Sequence, residues 1–379
     1  MSRLFSITLL TTLLATSTVG HAADPIFIDG SAAADLDFTH FNGMTGKLHF
    51  TEMVGSGAAW LDYDRDGDLD LYLLQGSLVD PRTTLDDALL PPADADELGD
   101  RLLRNDLTRG PDGQLQPRFV DVTESAELTA TGYGMTLAVG DADGDGYPDV
   151  FVGNDGDDQL WRNRRDGRFA TLRLPAVPPG GAWTAAAFFG DIDRDGDDDL
   201  YVGRYVVYDP TADIRCFARS SRIDYCGPAD FPPSPDSLWR NRGNGEFEDA
   251  TIVTRLNAAP EPTLGVVTLD ADGDGRLDLY LAHDGEPNRL WLAQPDGTFL
   301  DDALLAGVAV NRSGAPEASM GVTVGDVDAD GDEDVFMTHL DEESNTLYRN
   351  GGGLFDDASV DSGLAAPSLP FTGFGTVFA

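Results

Sequence analysis

Short apolar runs, each with an aromatic residue at its centre, recur along the chain. The runs are Leu71-Tyr72-Leu73, Val150-Phe151-Val152, Leu200-Tyr201-Val202, Leu279-Tyr280-Leu281 and Val335-Phe336-Met337. Runs this short and this apolar predict strands buried on both faces. A second segment follows each run, namely Leu102-Leu103-Arg104-Asn105, Leu160-Trp161-Arg162-Asn163, Leu238-Trp239-Arg240-Asn241, Leu290-Trp291 and Leu347-Tyr348-Arg349-Asn350. The pattern predicts an all-β fold.

An acidic motif, D-x-D-x-D-G-x-x-D, stands directly before each apolar run. Its copies begin at Asp62, Asp141, Asp191, Asp270 and Asp326. The repeating unit is about fifty residues long, and the two longer intervals contain the insertions 80–117 and 208–236. After the second segment, a glycine turn leads to a phenylalanine strand such as Gly245-Glu246-Phe247. Each unit therefore predicts about four strands.

Four-stranded units of this length predict the blades of a β-propeller over residues 23–379. A small residue stands five positions before each motif, as expected for a strand crowded near a central axis: Gly57, Thr136, Ala186, Gly265 and Gly321. The alternative architecture is a parallel β-solenoid with Gly- and Asp-containing turns. Its repeats are much shorter, on the order of nine residues, so the propeller is preferred.

The chain end repeats the first strand of a unit. Residues 375–379 align with residues 321–325, which immediately precede Asp326. We therefore expect five blades plus the first strand of a sixth, forming an incomplete ring taken from a longer parent of about seven blades. The alternative is that this last strand pairs with N-terminal residues near Phe38 and closes a smaller ring.

The acidic motif has the spacing of a calcium loop. Carboxylates at positions 1, 3, 5 and 9 converge, and like charges about 4 Å apart repel by roughly 4 kcal/mol per pair at an effective dielectric constant near 20. A hard divalent cation removes that repulsion, with Gly at position 6 for the turn and the carbonyl of position 7 as a further ligand. A solvated acidic turn is the alternative for any single copy. Five copies with matching flanks favour metal sites over solvated turns and so predict about five sites. Ca²⁺ is favoured over Mg²⁺ as the ion, because Mg²⁺ usually keeps several of its water ligands.

The predicted ligands follow directly from the motif. The side-chain ligands are Asp62, Asp64, Asp66, Asp70, Asp141, Asp143, Asp145, Asp149, Asp191, Asp193, Asp195, Asp199, Asp270, Asp272, Asp274, Asp278, Asp326, Asp328, Asp330 and Asp334. The carbonyl ligands are those of Asp68, Tyr147, Asp197, Arg276 and Asp332. Asp198 is expected to face solvent. The polar clusters 154–158, 283–286 and 341–343 follow the apolar strands, so we expect solvated turns at the opposite blade edge.

Charge excludes some partners. The formal net charge is −42, and the chain has a single lysine, Lys47. Nucleic acid and anionic membrane surfaces are therefore poor candidates as partners.

The N-terminal sequence predicts a signal peptide over residues 1–22, in which Arg3 precedes an apolar run. The alternative is a membrane anchor, but the apolar run is too short to span a bilayer comfortably. The mature chain is thus expected outside the cytoplasm, as a secreted, periplasmic or cell-surface protein with no membrane insertion.

The two cysteines stand close together in the second insertion. In an oxidising compartment Cys216 and Cys226 are expected to form a disulfide, with two free thiols as the alternative. No histidine lies near enough in sequence to suggest a zinc site.

These motifs resemble FG-GAP or VCBS repeats, which form the propeller of integrin alpha chains and occur in many secreted bacterial proteins. The run 38–75, the Cys216–Cys226 insertion and the LWRN segments further resemble the cartilage acidic protein family. Members of that family commonly carry a C-terminal ASPIC/UnbV domain, for which this sequence shows no counterpart. The resemblance implies calcium at each acidic loop and an extracellular binding or adhesion role, with no particular ligand.

Two functions compete. The first is a non-catalytic, calcium-binding module that binds an extracellular protein or glycan, and the second is a calcium-dependent, lyase-like enzyme acting on polysaccharide. Four histidines, His40, His49, His283 and His339, show no spacing with Ser, Cys or Glu that suggests a nucleophile and its base. A strongly acidic protein also repels a polyanionic substrate. We therefore expect that the protein is not an enzyme.

Overall fold

The computed structural model describes residues 28–92, 98–110, 113–174, 182–218, 220–256 and 259–378. The predicted signal peptide, 1–22, lies outside them. The described chain forms five four-stranded antiparallel sheets, each a simple meander, and two isolated hairpins. Helices are short: α1 is Ala303–Ala306 and α2 is Ala365–Ser368. Within the described ranges, every helix is too short or too polar to cross a bilayer.

Each sheet is one of the predicted blades. Blade one contains β1 (Ala58–Leu61), β2 (Asp70–Leu73), β3 (Arg101–Asn105) and β6 (Phe119–Asp121); blade two contains β7 (Gly134–Gly140), β8 (Asp149–Asn154), β9 (Gln159–Asn163) and β10 (Phe169–Leu172). Blade three contains β11 (Ala182–Gly190), β12 (Asp199–Val207), β15 (Ser237–Asn241) and β16 (Phe247–Asp249); blade four contains β17 (Thr263–Leu269), β18 (Asp278–His283), β19 (Arg289–Ala293) and β20 (Phe299–Asp301). Blade five contains β21 (Val322–Gly325), β22 (Asp334–Met337), β23 (Thr346–Asn350) and β24 (Phe355–Asp357). The prediction of five blades is confirmed.

The apolar runs form the second strand of each blade and explain how blades stack. In β8, Val150 and Val152 pack against blade one, whereas Phe151 packs against blade three. The same alternation recurs in β18, where Tyr280 faces blade five. Side chains on a strand alternate between the two faces of the sheet, so an apolar–aromatic–apolar run can fill both interfaces of its blade. Both faces of the second strand are buried for this reason in blades one to four, whereas Phe336 of blade five is only half-buried.

The first strands of neighbouring blades lie side by side around a central axis. A Cβ atom added at Gly265 would stand 2.7 Å from the carbonyl oxygen of Met320, and one at Gly321 would stand 2.3 Å from that of Phe374. Side chains at these two positions would collide with main chain, which explains why both are glycine. The equivalent positions of blades two and three accept the side chains of Thr136 and Ala186. The beginnings of the first strands and the segments leading into them line an axial cavity of about 180 Å³.

The C-terminal segment lies beside blade five. Phe374 and Gly375 line the axial cavity, and the ring of Phe378 contacts that of Phe336 at 6.1 Å. Residues 371–378 form no strand, and no strand ladder among the described residues joins the sheets of blades five and one. The sheets are therefore not closed, which is compatible with the expected incomplete ring and does not show pairing with residues near Phe38.

Both insertions carry local structure. Segment 80–117 is not insertion throughout, because it contains β3, the third strand of blade one. It also carries the hairpin of β4 (Thr108–Arg109) with β5 (Leu115–Gln116). Segment 208–236 includes the hairpin of β13 (Cys216–Phe217) with β14 (Ile223–Asp224). The predicted disulfide is confirmed: Cys216 and Cys226 are bonded, with Cα atoms 5.0 Å apart. Cys226 and Phe231 pack into an aromatic cluster with Phe50, Trp183 and Tyr205, which fixes the second insertion over the blades.

Candidate metal centres

The five acidic motifs form the loops between the first and second strands, so all lie at one edge of the blades. The glycine at position 6 has a positive φ in every loop, as predicted: Gly67, Gly146, Gly196, Gly275 and Gly331. Position 4 also has a positive φ, even at Arg65, Arg194 and Ala329. Non-glycine residues enter this region at a cost, so the loops are held by other contacts.

The carboxylate at position 1 closes each loop. Asp141 Oδ2 accepts the amide of Gly146 at 2.7 Å, and Asp270 Oδ2 accepts that of Gly275 at 2.8 Å. The same bond is 3.1 to 3.2 Å long in the other three loops, from Gly67 to Asp62, from Gly196 to Asp191 and from Gly331 to Asp326. Position 1 thereby folds the chain over itself. In blades two, three and five its second oxygen also accepts the amide of position 5, at 2.9 to 3.1 Å.

Carboxylate oxygens converge within the loops. In blades one and three the clustered residues are those at positions 1, 3 and 5, with oxygens within 4.8 Å of one another; in blades two and four they are those at positions 1, 3 and 9. Blade five carries the same amide bonds around Asp326 and Asp330. The side chains at positions 1 and 3 are thus brought together as the spacing predicts.

Four of these oxygens lack a hydrogen-bond donor although they are buried: Asp62 Oδ1, Asp143 Oδ1, Asp193 Oδ1 and Asp270 Oδ1. A buried carboxylate oxygen without a donor is rare, because its desolvation is uncompensated. Burial, followed by the neighbouring carboxylates, raises the pKa of Asp64, Asp143 and Asp193 above the usual value. Hard oxygen donors with no hydrogen available to them fit a divalent cation such as Ca²⁺.

An arginine approaches the other oxygen of position 3 in several blades. Arg240 Nε lies 2.9 Å from Asp193 Oδ2, and Arg162 Nη1 lies 3.6 Å from Asp143 Oδ2. These arginines come from the LWRN segments. They contact the outer oxygen only, so Oδ1 stays available in both loops.

Position 9 has a structural role as well. Asp149 is fully buried, its Oδ2 accepts the amide of Ala142 at 2.9 Å and its Oδ1 accepts the amide of Asn163 at 2.7 Å. The equivalent carboxylates Asp70, Asp278 and Asp334 accept both corresponding amides. Burial raises the pKa to about 7 for Asp70, Asp149 and Asp199 and to about 6 for Asp278. The carboxylate at position 9 therefore joins the loop to the third strand through these hydrogen bonds.

At position 7 the main-chain amide donates to the carboxylate of position 5, at 2.9 Å from Tyr147 to Asp145 and at 3.1 Å from Asp197 to Asp195. The predicted role of the position-7 carbonyl as a ligand stays a prediction.

The asparagine that ends each LWRN segment connects neighbouring loops. Asn241 Nδ2 donates to the carbonyl of Ala142, at position 2 of the preceding blade's loop, at 2.8 Å. Asn350 reaches Ala271 in the same way at 3.0 Å. Blade four has Ala293 at this place and makes no such bond. The sequence predicted a strand here but gave no sign of this contact between blades.

Loop residues outside the ligand set also join blades. Asp198 is half-buried and its Oδ2 accepts the amide of Asp141 at 3.1 Å, so the expectation that it faces solvent is wrong. Glu333 accepts the amide of Asp270 at 3.0 Å, and Arg65 donates to the carbonyl of Gly146 at 2.9 Å. A carboxylate at position 8 therefore supports the first ligand of the preceding blade.

The prediction of solvated turns at the opposite edge is wrong for two of the three clusters. Asn154 and His283 are each 1% exposed, and Asp158 accepts the amide of Asn154 at 3.1 Å and the hydroxyl of Thr184 at 3.0 Å. Burial raises the pKa of Asp158 to about 6. In the third cluster the residues at 341 and 342 are exposed.

The physical reason is a cap that recurs in every blade. An Asp or Asn just before the third strand accepts a main-chain amide near the end of the second: Asp100 from Gln75, Asp158 from Asn154, Asp236 from Arg204, Asn288 from His283 and Asn345 from His339, at 2.7 to 3.2 Å. The signal was present in the sequence as Asp or Asn two residues before the leucine of each second segment.

The histidines show one arrangement that spacing did not reveal. Ser319 Oγ lies 3.3 Å from His339 Nε2, and Glu317 approaches the same nitrogen at 3.8 Å. In a catalytic triad the carboxylate binds the nitrogen opposite the nucleophile. Ser319 and His339 are also each only 1% exposed. This trio does not have the geometry of an acyl-transfer site.

Among the comparisons with known proteins, the family model agrees with the repeat pattern. Among solved structures, similar ones include an Agrocybe aegerita lectin described as recognising non-reducing terminal N-acetylglucosamine (18% identity over 79% of this chain and 64% of the lectin, TM-score 0.41) and the V. cholerae biofilm matrix protein Bap1 (13% identity, 80% of this chain and 38% of that one, TM-score 0.39). The chain thus spans less than two thirds of either. A comparison with curated protein sequences found no significant match. The family model for the FG-GAP-like repeat matches residues 141–202, 224–281 and 270–337. This chain therefore contains FG-GAP-like repeats.

Proposed function

We propose that this protein is a secreted, calcium-binding propeller that acts as a non-catalytic interaction module for an extracellular protein or glycan. The observation that carries the calcium assignment is the set of buried carboxylate oxygens without a hydrogen-bond donor in four successive acidic loops. Acidic residues at positions 1, 3, 5 and 9 would hold the ion, with the carbonyl of position 7. Bound calcium would supply the positive charge that lets these carboxylates share one loop.

Export is supported by the disulfide, because such bonds persist mainly in oxidising compartments. The predicted leader at 1–22 fits the same destination. The proposed destination is the periplasm, the cell surface or the medium. The kinship with cartilage acidic proteins suggested by the LWRN segments is part of this proposal.

A non-catalytic role is supported by how the buried acids are used. A cavity of about 230 Å³ between blades three and four is lined by Asp236, Glu261 and His283. Asp236 already accepts the amide of Arg204 and the hydroxyls of Tyr201 and Thr263, at 2.7 to 2.9 Å. The same cap is an asparagine in blades four and five, which cannot act as an acid or base. Strand capping thus explains this carboxylate without catalysis.

The experiment is calcium binding by equilibrium dialysis of the full chain, with magnesium as the competing ion. About five calcium ions per chain are expected, with little displacement by equimolar magnesium. Absence of calcium binding would refute the proposed ligands. For the enzymatic alternative, calcium-loaded protein is incubated with neutral and acidic polysaccharides, and no new unsaturated or reducing ends are expected.

A further inference from the structure

A cavity of about 540 Å³ lies at the blade edge opposite the acidic loops. It is formed where residues 46–50 meet the turn 80–82 and the second insertion. The turn 80–82 follows β2 and the second insertion follows β12. Both strands run away from the acidic loops, so the cavity lies at their far ends. Tyr208, Phe231 and Ile223 form its apolar walls. Its volume is within the range of small-molecule sites, roughly 300 to 1,000 Å³.

His49 lines this cavity with an unused hydrogen-bond donor. Its Nδ1 lies 2.9 Å from the hydroxyl of Tyr208, which accepts the amide of Phe50 and so has its own hydrogen free for Nδ1. Burial lowers the pKa of His49, which favours the neutral ring and leaves the ring hydrogen on Nε2. The residue is 7% exposed, and Nε2 is buried without a partner. An oxygen of a ligand would satisfy this donor.

Two cations share a single carboxylate beside it. Lys47 Nζ lies 3.4 Å from Asp80 Oδ2, and Arg82 donates Nε and Nη2 to the same carboxylate at 2.8 and 2.9 Å. Asp80 is 1% exposed, whereas the side chains of Lys47 and Arg82 are 54% and 60% exposed. Both cations therefore keep N–H groups directed away from Asp80.

The remaining charged groups of the wall already have partners. Arg215 pairs with Asp213 at 3.2 Å, and Asp224 accepts the amide of Tyr225 at 2.9 Å. Among the residues that the structure describes, the wall thus holds three cations and three carboxylates. In a chain of 67 acidic and 25 basic residues, such a balance makes this one of the places where an anion is not strongly repelled.

We propose that this cavity binds a small carboxylate-bearing ligand, with Lys47 and Arg82 holding the carboxylate and His49 Nε2 donating to a neighbouring oxygen. The inference rests on the proposed interaction function and specifies one ligand class for it. Arginine and lysine bind carboxylates through charge-assisted hydrogen bonds, and the apolar wall fits an uncharged body. The carboxylate can belong to a uronic acid unit or to the free end of a peptide.

Lys47 offers a direct test because it is the chain's only lysine. The calcium-loaded full chain is treated with an amine-reactive acylating reagent, and the rate of Lys47 modification is followed by mass spectrometry. The probes are glucuronate and N-acetylalanine, with glucose and N-acetylalaninamide as their uncharged counterparts. At a probe concentration tenfold above its dissociation constant, acylation is expected to slow by about tenfold, since the rate follows the unbound fraction. Protection of Lys47 by glucuronate would identify a uronic acid unit as the source of the carboxylate, and protection by N-acetylalanine would identify the free end of a peptide.

Arg82→Gln is expected to weaken binding of the protecting probe at least tenfold, as measured by calorimetry. The control is Arg168→Gln, which alters an exposed ion pair with Glu127 and should leave probe binding unchanged. Each variant's calcium stoichiometry and melting temperature are measured alongside. Equal protection by the uncharged counterparts, or none by any probe in protein that still binds calcium, would overturn the proposal and leave the calcium function standing. Loss of calcium binding as well would contradict the proposed function itself.

Discussion

Asn163 donates its Nδ2 hydrogen to the main-chain carbonyl of Tyr63 across 2.7 Å, and this bond joins the third strand of blade two to the acidic loop of blade one. Equivalent bonds follow at two further interfaces. Each loop is thus ordered partly by the next blade, so metal binding and blade stacking are expected to be coupled.

Asn163→Ala removes this bond between blades and leaves a buried carbonyl without a partner. An unsatisfied buried group costs about 1 to 3 kcal/mol, so we expect a loss of that size in the free energy of unfolding, measured by urea denaturation. Asn105→Ala is the matched control, because Asn105 donates only to Leu69 within its own blade, at 3.1 Å. Equal destabilisation by the two substitutions would show that the contact between blades contributes nothing extra.

Asp195→Ala is expected to abolish or strongly weaken one calcium site and spare the other four, because Asp195 stands at a ligand position of blade three alone. Calcium titration by calorimetry measures this. Asp198→Ala instead removes the acceptor of the Asp141 amide and is expected to weaken the blade-two site about two- to tenfold without changing the stoichiometry, since a typical hydrogen bond contributes about 0.5 to 1.5 kcal/mol. A lost site in the Asp198 variant would contradict these assignments.

Asp100→Asn is expected to change how stability depends on pH. Burial raises the pKa of Asp100 to about 6, while its amide and hydroxyl donors from Gln75 and Tyr72 oppose the shift. Because the folded-state pKa lies above the unfolded value, this group's contribution to stability declines as pH rises from about 4 to about 6. Asparagine occupies the equivalent place at Asn288 and Asn345 and does not titrate.

The variant should therefore gain stability relative to the parent chain as pH rises from 4 to 7, by at most about 3 kcal/mol for two pKa units. Urea denaturation at several pH values measures the difference. Asp166→Asn, on an exposed turn, is the control for the substitution itself. A stability difference between Asp100→Asn and the parent chain that does not change with pH would rule out a raised pKa of Asp100.

The disulfide is expected to stabilise the second insertion without holding the blades together. Replacing Cys216 and Cys226 with serine should cost roughly 3 kcal/mol or less, because the closed loop is short. The oxidised chain should have an intact mass two hydrogens below that of the reduced chain. Hydrogen exchange should then quicken around β13 and β14, with the metal loops unaffected. Faster exchange throughout the blades would show a wider role for the bridge.

Local patterns predicted the elements well because each strand and loop is specified by neighbouring residues. The run Val150-Phe151-Val152 signals a strand buried on both faces, and the spacing from Asp141 to Asp149 signals the loop before it. Contacts between units were less visible. Nothing next to Asn163 or Asp198 in sequence shows that their partners lie in another blade, 100 and 57 residues away.

The strand caps were missed for a different reason. Asp158 and Asp236 stand in polar, turn-like segments, which ordinarily indicate exposure. Their burial depends on the main-chain amides of Asn154 and Arg204, whose position is known only when the second and third strands are paired. The common feature of the five repeats is the Asp or Asn two residues before the leucine of each second segment.

The central claim is that calcium in the acidic loops stabilises the propeller, and the melting temperature with calcium and after chelation tests it most directly. At a hundredfold excess over the dissociation constant each site contributes about 2.7 kcal/mol, so five sites contribute about 13 kcal/mol, comparable with the whole stability of a typical domain. We predict that chelation lowers the melting temperature sharply or abolishes the cooperative transition, and that added calcium restores it. An unchanged melting temperature after complete removal of calcium would contradict the account.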